Sequence, residues 1–261
     1  MPGALVGQPA DWILVCTKTP AAEEAAAGLA RAWDQIGGER RVVICQNGWG
    51  SVAPFAARLP NRHLYSARVI TGFQRTSPTG VQITAHAEPI RIGSLFGADL
   101  TPVSALCEAI TTGGVPCEVS AEIESELWSK MLYNCSLNPL GALIGVAYGE
   151  LGERGETRAI LEATIGEIFA VLEASGYPTR WRDASEYLDV FWRELLPPTA
   201  AHESSMLQDL RAGRQTEVDS LNGAVVSLAD EHGVEVPVNR ALLSLIRARE
   251  AAARSAGQPG S

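Results

Sequence analysis

The run Asp11 to Thr17 (DWILVCT) is almost continuously apolar, the pattern of a parallel strand covered on both faces. An Ala-rich stretch from Ala21 to Gln35 predicts a helix, which Gly37 and Gly38 end. Arg41 to Gln46 (RVVICQ) repeats the buried-strand pattern and leads into the turn Asn47-Gly48-Trp49-Gly50, whose glycines permit close backbone approach. Strand, helix and strand in this order indicate an α/β layer. Residues 64–95 read as strands joined by turns at Ser77-Pro78-Thr79-Gly80 and Glu88-Pro89, followed by a helix near Thr101 to Thr112 and a last strand near Val115 to Val119. From Ala121 onward the period is helical: Leu161, Ile165, Ile168, Phe169 and Leu172 share one face, and Gly176 with Pro178 ends it. Further helices are expected near 181–195, 203–212, 216–232 and 238–250, with Thr216 and Asp219 at the spacing of a capping box. The pattern predicts an α/β domain over residues 1–120, an all-helical domain over 121–250 and a frayed tail over 251–261.

One helical segment carries chemistry. Between Glu126 and Leu140 the chain sets Lys130, Asn134 and Asn138 four residues apart in an otherwise apolar stretch. At 3.6 residues per turn they form a polar stripe on one face. A cation followed by two amides suits a ligand rich in oxygen, such as a small hydroxy or keto acid. Pro139 cannot donate a backbone hydrogen bond, so it is expected to kink or end the helix just beyond Asn138 and to release the carbonyl of Cys135.

Composition narrows the partners. With 261 residues, 46 % hydrophobic and 20 % charged, the chain can bury one large core or two modest ones. A net charge of −9 argues against nucleic acid and anionic membrane as partners and leaves small molecules. Cys16, Cys45, Cys107, Cys117 and Cys135 contain no CxxC pair, and His63, His86, His202 and His232 have no metal-ligand spacing, so neither a metal site nor a disulfide framework is expected. Residues 1–10 lack the basic start and apolar stretch of a leader, and no apolar run is long enough to span a membrane, which makes the reducing cytoplasm the expected compartment. Trp12 and Trp49 are expected in the core.

The Lys-Asn-Asn stripe, Lys18 at a strand end, the Gln46-Asn47-Gly48 turn and the run Ser204-Ser205-Met206-Leu207-Gln208-Asp209, Thr216-Glu217-Val218-Asp219 and Asn222-Gly223 together resemble the ketopantoate reductase (2-dehydropantoate 2-reductase) family over about residues 10–250. The resemblance implies a Rossmann-like domain for NADPH, a helical domain for the keto acid and a site in the cleft between them. It implies Lys130 as the catalytic lysine, Asn134 and Asn138 as the amides that bind substrate hydroxyls, and Ser205 with Ser204 at the substrate carboxylate. By the same resemblance Lys18 and Asn47 lie beside the cofactor, Asn47 near the nicotinamide, and Glu217 contacts the cofactor with its carboxylate. The roles are chemically coherent: hydride reaching a ketone carbon leaves negative charge on oxygen, which an ammonium stabilises and then protonates. Plainer readings stand beside these. Asn134, Asn138, Ser204 and Ser205 could cap helices, Lys18 could be a surface cation, and Glu217 could complement a helix dipole.

Two departures from the family pattern matter. Tyr148 stands ten residues after Asn138, where many members have Asn, so part of the diol contact is not carried over and another 2-keto acid becomes the alternative substrate. Members also open with a strand, a GxGxxG turn, a helix and two further strands, roughly sixty residues. Here Met1 falls just before the expected fourth strand, no GxGxxG occurs, and the reading is of a truncated Rossmann-like domain with a weak or incomplete NADPH site. For the exposed edge of the 11–17 strand the expectation is that either the physiological chain is longer, or the edge is covered by Pro2 to Pro9 or by a second copy in a homodimer. The rival reading is a homologue that uses its cleft without nucleotide, for non-redox chemistry or for binding.

Overall fold

The apolar runs near residues 11 and 41 become adjacent parallel strands, β1 (Trp12–Val15) and β2 (Arg41–Ile44), paired from Trp12 with Arg41 to Val15 with Ile44. The computed structural model describes residue 7, residues 9–86 and residues 88–256. β3 (Leu64–Arg68) continues the sheet parallel to β2. The chain then leaves as an antiparallel pair of its own, β4 (Thr71–Arg75) and β5 (Val81–His86), and returns as β6 (Ile90–Gly93) and β7 (Cys117–Val119). β6 is antiparallel to β3 and parallel to β7, which gives the order β1-β2-β3-β6-β7. Helices α1 (Ala22–Ala32), α2 (Ala53–Ala56) and α3 (Thr101–Thr112) belong to the same α/β unit.

Side-chain alternation along the strands divides that unit into two apolar layers. Val15, Val42, Ile44 and Leu64 meet Ala26 and Leu29 of α1 and Phe55 of α2. Val43, Tyr65 and Ile92 meet Val103 and Leu106 of α3. Arg68, 2 % exposed, keeps its charge inside because Glu88 lies at 2.8 Å and Glu126 at 2.7 Å.

The helical unit contains most of α4 (Ile123–Ile144), followed by α5 (Tyr148–Glu153), α6 (Gly155–Ser175), α7 (Ala184–Val190), α8 (Ser205–Arg211), α9 (Asn222–His232) and α10 (Pro237–Ala256). Its core joins Trp128, Leu132 and Leu137 of α4 to Leu161, Ile165 and Ile168 of α6 and Ile246 of α10. The α/β unit takes in the chain up to Asn47 and Ser51–Leu127, whereas Gly48–Gly50 and everything from Trp128 form the helical unit. Gly48 makes that placement feasible. Its φ is +89°, and a Cβ there would lie 2.3 Å from the Ser220 carbonyl oxygen, which instead accepts from Trp49 N–H at 2.9 Å. Trp49 then stacks against Trp128 and Tyr177, with ring centres 4.7 and 4.8 Å away.

Several expectations are corrected. α4 does not end at Pro139 but runs to Ile144. The helix expected from Thr216 begins at Asn222: Thr216 Oγ1 accepts from Val218 N–H in a local turn, and Asp219 pairs with Arg247 at 2.7 Å, so no capping box forms. The helix expected from 181 begins at Ala184, because Asp183 caps it by accepting from Glu186 N–H at 2.9 Å. α10 continues through residues 251–256, and the remainder of the expected tail lies outside the described residues. β1 is not covered on both faces, since Leu14 is 44 % exposed. Of the segment expected to cover its edge, Gly7 and Pro9 lie instead beside Gln35 and Gly37 on the β2 side, and the rest is outside the described residues. Among the described residues no helix is long and apolar enough to cross a membrane.

Candidate active site

α4 carries the polar stripe intact. Lys130 and Asn134 are partly exposed and Asn138 is buried. The continuity depends on a side chain from α9. Pro139 leaves the Cys135 carbonyl without its usual helical donor, and Asn222 Nδ2 supplies one at 3.0 Å. The same nitrogen donates to Asn239 Oδ1 at 3.0 Å, and Asn239 in turn donates to the Thr164 carbonyl and to Glu167. Glu167 also accepts the Val238 and Asn239 N–H groups, both at 2.8 Å, at the start of α10. This buried amide chain ties α4 to α6, α9 and α10. Its only advance signals in the sequence were Pro139 and the Asn222-Gly223 pair.

Asn138 has two further partners. Its Oδ1 accepts from the Tyr148 hydroxyl at 2.5 Å, and its carbonyl accepts from Ser204 Oγ at 3.3 Å. Ser204, fully buried, also accepts from Leu207 N–H at 3.0 Å and so caps α8, which leaves Ser205 exposed as the first residue of that helix. Tyr148 N–H donates to the His202 carbonyl, and the two rings are 5.3 Å apart. Burial raises the Tyr148 pKa well above the ordinary tyrosine value and pushes that of Tyr133, whose hydroxyl bonds Thr199, up to about 12. Both hydroxyls therefore act as neutral hydrogen-bonding groups. Glu217 lies in the turn before α9, partly exposed, and its carbonyl accepts from the N–H groups of Ser220 and Leu221.

In the α/β unit the ends of β1 and β2 carry Lys18 and Asn47. Gln46, 5 % exposed, joins them: its Nε2 donates to Thr17 Oγ1 at 3.1 Å and to the Lys18 carbonyl at 3.2 Å, while Thr19 Oγ1 donates to the Asn47 carbonyl at 3.1 Å. Lys18 is exposed, and Gln46 Oε1 is a buried acceptor with no partner among the described residues. The sequence marks Gln46 only as part of the Gln46-Asn47-Gly48 turn and gives it no role of its own, because a glutamine after an apolar run carries no distinctive spacing.

A strand-helix layer with polar strand ends, followed by a helical unit with a Lys-Asn-Asn face, defines a two-part α/β and helical enzyme of the Rossmann-like class. Residues 3–97 match the model of ketopantoate reductase PanE/ApbA, and residues 122–250 match that of its C-terminal part. The 2-dehydropantoate 2-reductase of Aquifex aeolicus is 34 % identical over 241 residues, 92 % of this chain and 76 % of the relative. That of Halobacterium salinarum is 36 % identical over 238 residues, covering 91 % and 75 %. The crystal structure of a PanE/ApbA family ketopantoate reductase from Ralstonia eutropha superposes with a TM-score of 0.82 at 27 % identity, over 97 % of this chain and 79 % of that one. The chain belongs to the ketopantoate reductase family and is an oxidoreductase of that type.

Proposed function

We propose that the chain reduces a 2-keto acid of the 2-dehydropantoate kind to the 2-hydroxy acid with NADPH, and that Lys130 is its general acid. The observation that carries the reading is the continuous helix from Lys130 to Asn138 within α4, which sets Lys130, Asn134 and Asn138 on one face in successive turns. The names of the curated relatives support the substrate class. NADPH, when bound, supplies the hydride. The α/β unit has residues suited to such a group: Lys18 offers an exposed cation for phosphate, Asn47 an amide, and Gln46 a buried Oε1 acceptor with no partner among the described residues. Glu217 offers a carboxylate for a hydroxyl of the same group.

Reduction places negative charge on the substrate oxygen. The Lys130 ammonium stabilises that charge and delivers the proton from Nζ. Asn134 and Asn138 hold substrate hydroxyls, and Ser205 holds the carboxylate, with Ser204 fixing the helix start that presents it. The test follows loss of NADPH absorbance with 2-dehydropantoate as substrate. Lys130→Ala is expected to lower kcat by at least about a hundredfold, the usual weight of a general acid. Asn138→Ala is expected to act mainly on KM. A Lys130→Ala enzyme that turns over within a few fold of the parent removes Lys130 from the chemistry.

A further inference from the structure

The cysteines fall into a different arrangement from the one their spacing suggests. Cys16 directly follows β1 and Cys45 directly follows β2. The register that pairs Val15 with Ile44 sets them opposite each other one step further on, where Cys45 N–H still donates to the Val15 carbonyl at 3.0 Å. Alternation puts Cys16 on the face of Trp12 and Leu14 and Cys45 on that of Val43, which is the same side of the sheet. Paired positions on neighbouring strands are about 4.8 Å apart, inside the roughly 4.4–6.8 Å that a disulfide requires between Cα atoms. Cys16 is exposed and Cys45 half-buried, so a small reactant reaches the first, and the second lies beside it on the neighbouring strand.

We propose that Cys16 and Cys45 form a redox-modifiable dithiol, in which a hydroperoxide oxidises Cys16 and Cys45 then closes a disulfide onto it. In the first step the Cys16 thiolate sulfur attacks the peroxide: the S–O bond forms, the O–O bond breaks, and the departing alkoxide or hydroxide takes a proton. Sulfur is oxidised and the peroxide reduced to an alcohol or water. In the second step the Cys45 sulfur attacks the sulfenic sulfur: the S–S bond forms, the S–O bond breaks, and the hydroxide leaves with the Cys45 proton as water. The local chemistry favours Cys16 as the first thiol. A hydrogen bond from Cys45 outweighs partial burial and lowers its pKa to about 7, so near neutrality much of it is thiolate. The other cysteines lack this combination. Cys107 and Cys117 have sulfurs 3.1 Å apart, but both are buried, and burial raises their pKa values as it does that of buried Cys135.

The test reads thiol chemistry alone and is independent of the reductase reading. The 261-residue chain, reduced and freed of reductant, is treated with equimolar hydrogen peroxide near neutral pH, blocked with iodoacetamide and digested without reduction. The expected product is a peptide pair linking Cys16 to Cys45, lost on treatment with dithiothreitol. Iodoacetamide alone is expected to alkylate Cys16 at least about tenfold faster than Cys107, Cys117 or Cys135. In Cys45→Ser the sulfenic acid is expected to persist and to be trapped by dimedone at Cys16. The parent protein suffices to decide the matter: peroxide that carries Cys16 to sulfinic acid without the link, or that links Cys107 to Cys117 first, overturns the proposal.

Discussion

Tyr148 spends its hydroxyl on Asn138 Oδ1, and that contact leaves the amide nitrogen of Asn138 as the half available to a ligand. Tyr148→Phe removes one buried hydrogen bond, worth about 1 kcal/mol, and lets the amide turn. KM for the keto acid is then expected to rise about fivefold with kcat within about twofold, and an unchanged KM in steady-state kinetics would detach Tyr148 from substrate recognition. Tyr148→Asn is expected to raise the preference for 2-dehydropantoate over its analogue lacking the 4-hydroxyl group. The neighbouring His202 gives a pH-dependent readout. Partial desolvation lowers the pKa of this largely exposed ring, against an opposing effect of Glu203, so the unfolded chain protonates first on acidification. Stability from the neutral ring is complete above the unfolded pKa of about 6.5 and is lost as the pH falls from there toward the folded value. Thermal melts on either side of that pH should show Tm falling with acid, and His202→Gln should flatten the fall. At this scale the sequence was legible where residue type and period coincide, as at Lys130, Asn134 and Asn138. It was not legible where a side chain's partner is set by folding: nothing near Gln46 points to Thr17, and nothing in Tyr148 announces Asn138.

α4 shows how one element depends on another. A proline in a helix interior removes a hydrogen bond, and here Asn222 restores a donor to the stranded Cys135 carbonyl. Asn222→Ala leaves that carbonyl and Asn239 Oδ1 buried without this donor, a loss of about 3 kcal/mol and roughly 10 °C in Tm. A calorimetric shift below about 2 °C would mean that water or a rearranged Asn239 had replaced the amide. Most element positions were readable from periodicity; α3 spans Thr101–Thr112 as expected, and α6 ends at Gly176, whose φ is +70°. Boundaries that rest on remote partners were not. The 216–221 segment has good capping chemistry on paper, but Thr216 N–H donates to Glu250 and Asp219 is drawn to Arg247, so the helix starts later. The N-terminal side of β1 likewise could not be read, because a backbone edge carries no sequence signature of what lies beside it.

At the scale of the molecule, the sequence shows a change of period near residue 121, whereas the two compact units part between Leu127 and Trp128, inside α4. The assignment of Gly48–Gly50 to the helical unit does not show in the sequence, since a three-residue turn has no period to read. Its anchor is the ring cluster of Trp49, Trp128 and Tyr177. Trp49→Ala is expected to cost the helical unit about 2 kcal/mol, less than the 3–5 kcal/mol of a fully enclosed ring because Trp49 is only half-buried. Denaturant melts followed by Trp fluorescence would register the loss, and an unchanged midpoint would show the cluster to be ornamental. Trp49 also imposes an order on biosynthesis. It leaves the ribosome long before Trp128 and Tyr177, so its indole has no partner while the intervening strands are being made, and closing the cluster requires a contact between distant points of the chain. A nascent chain paused before Trp128 carries that indole without the two rings that pack on it in the finished protein.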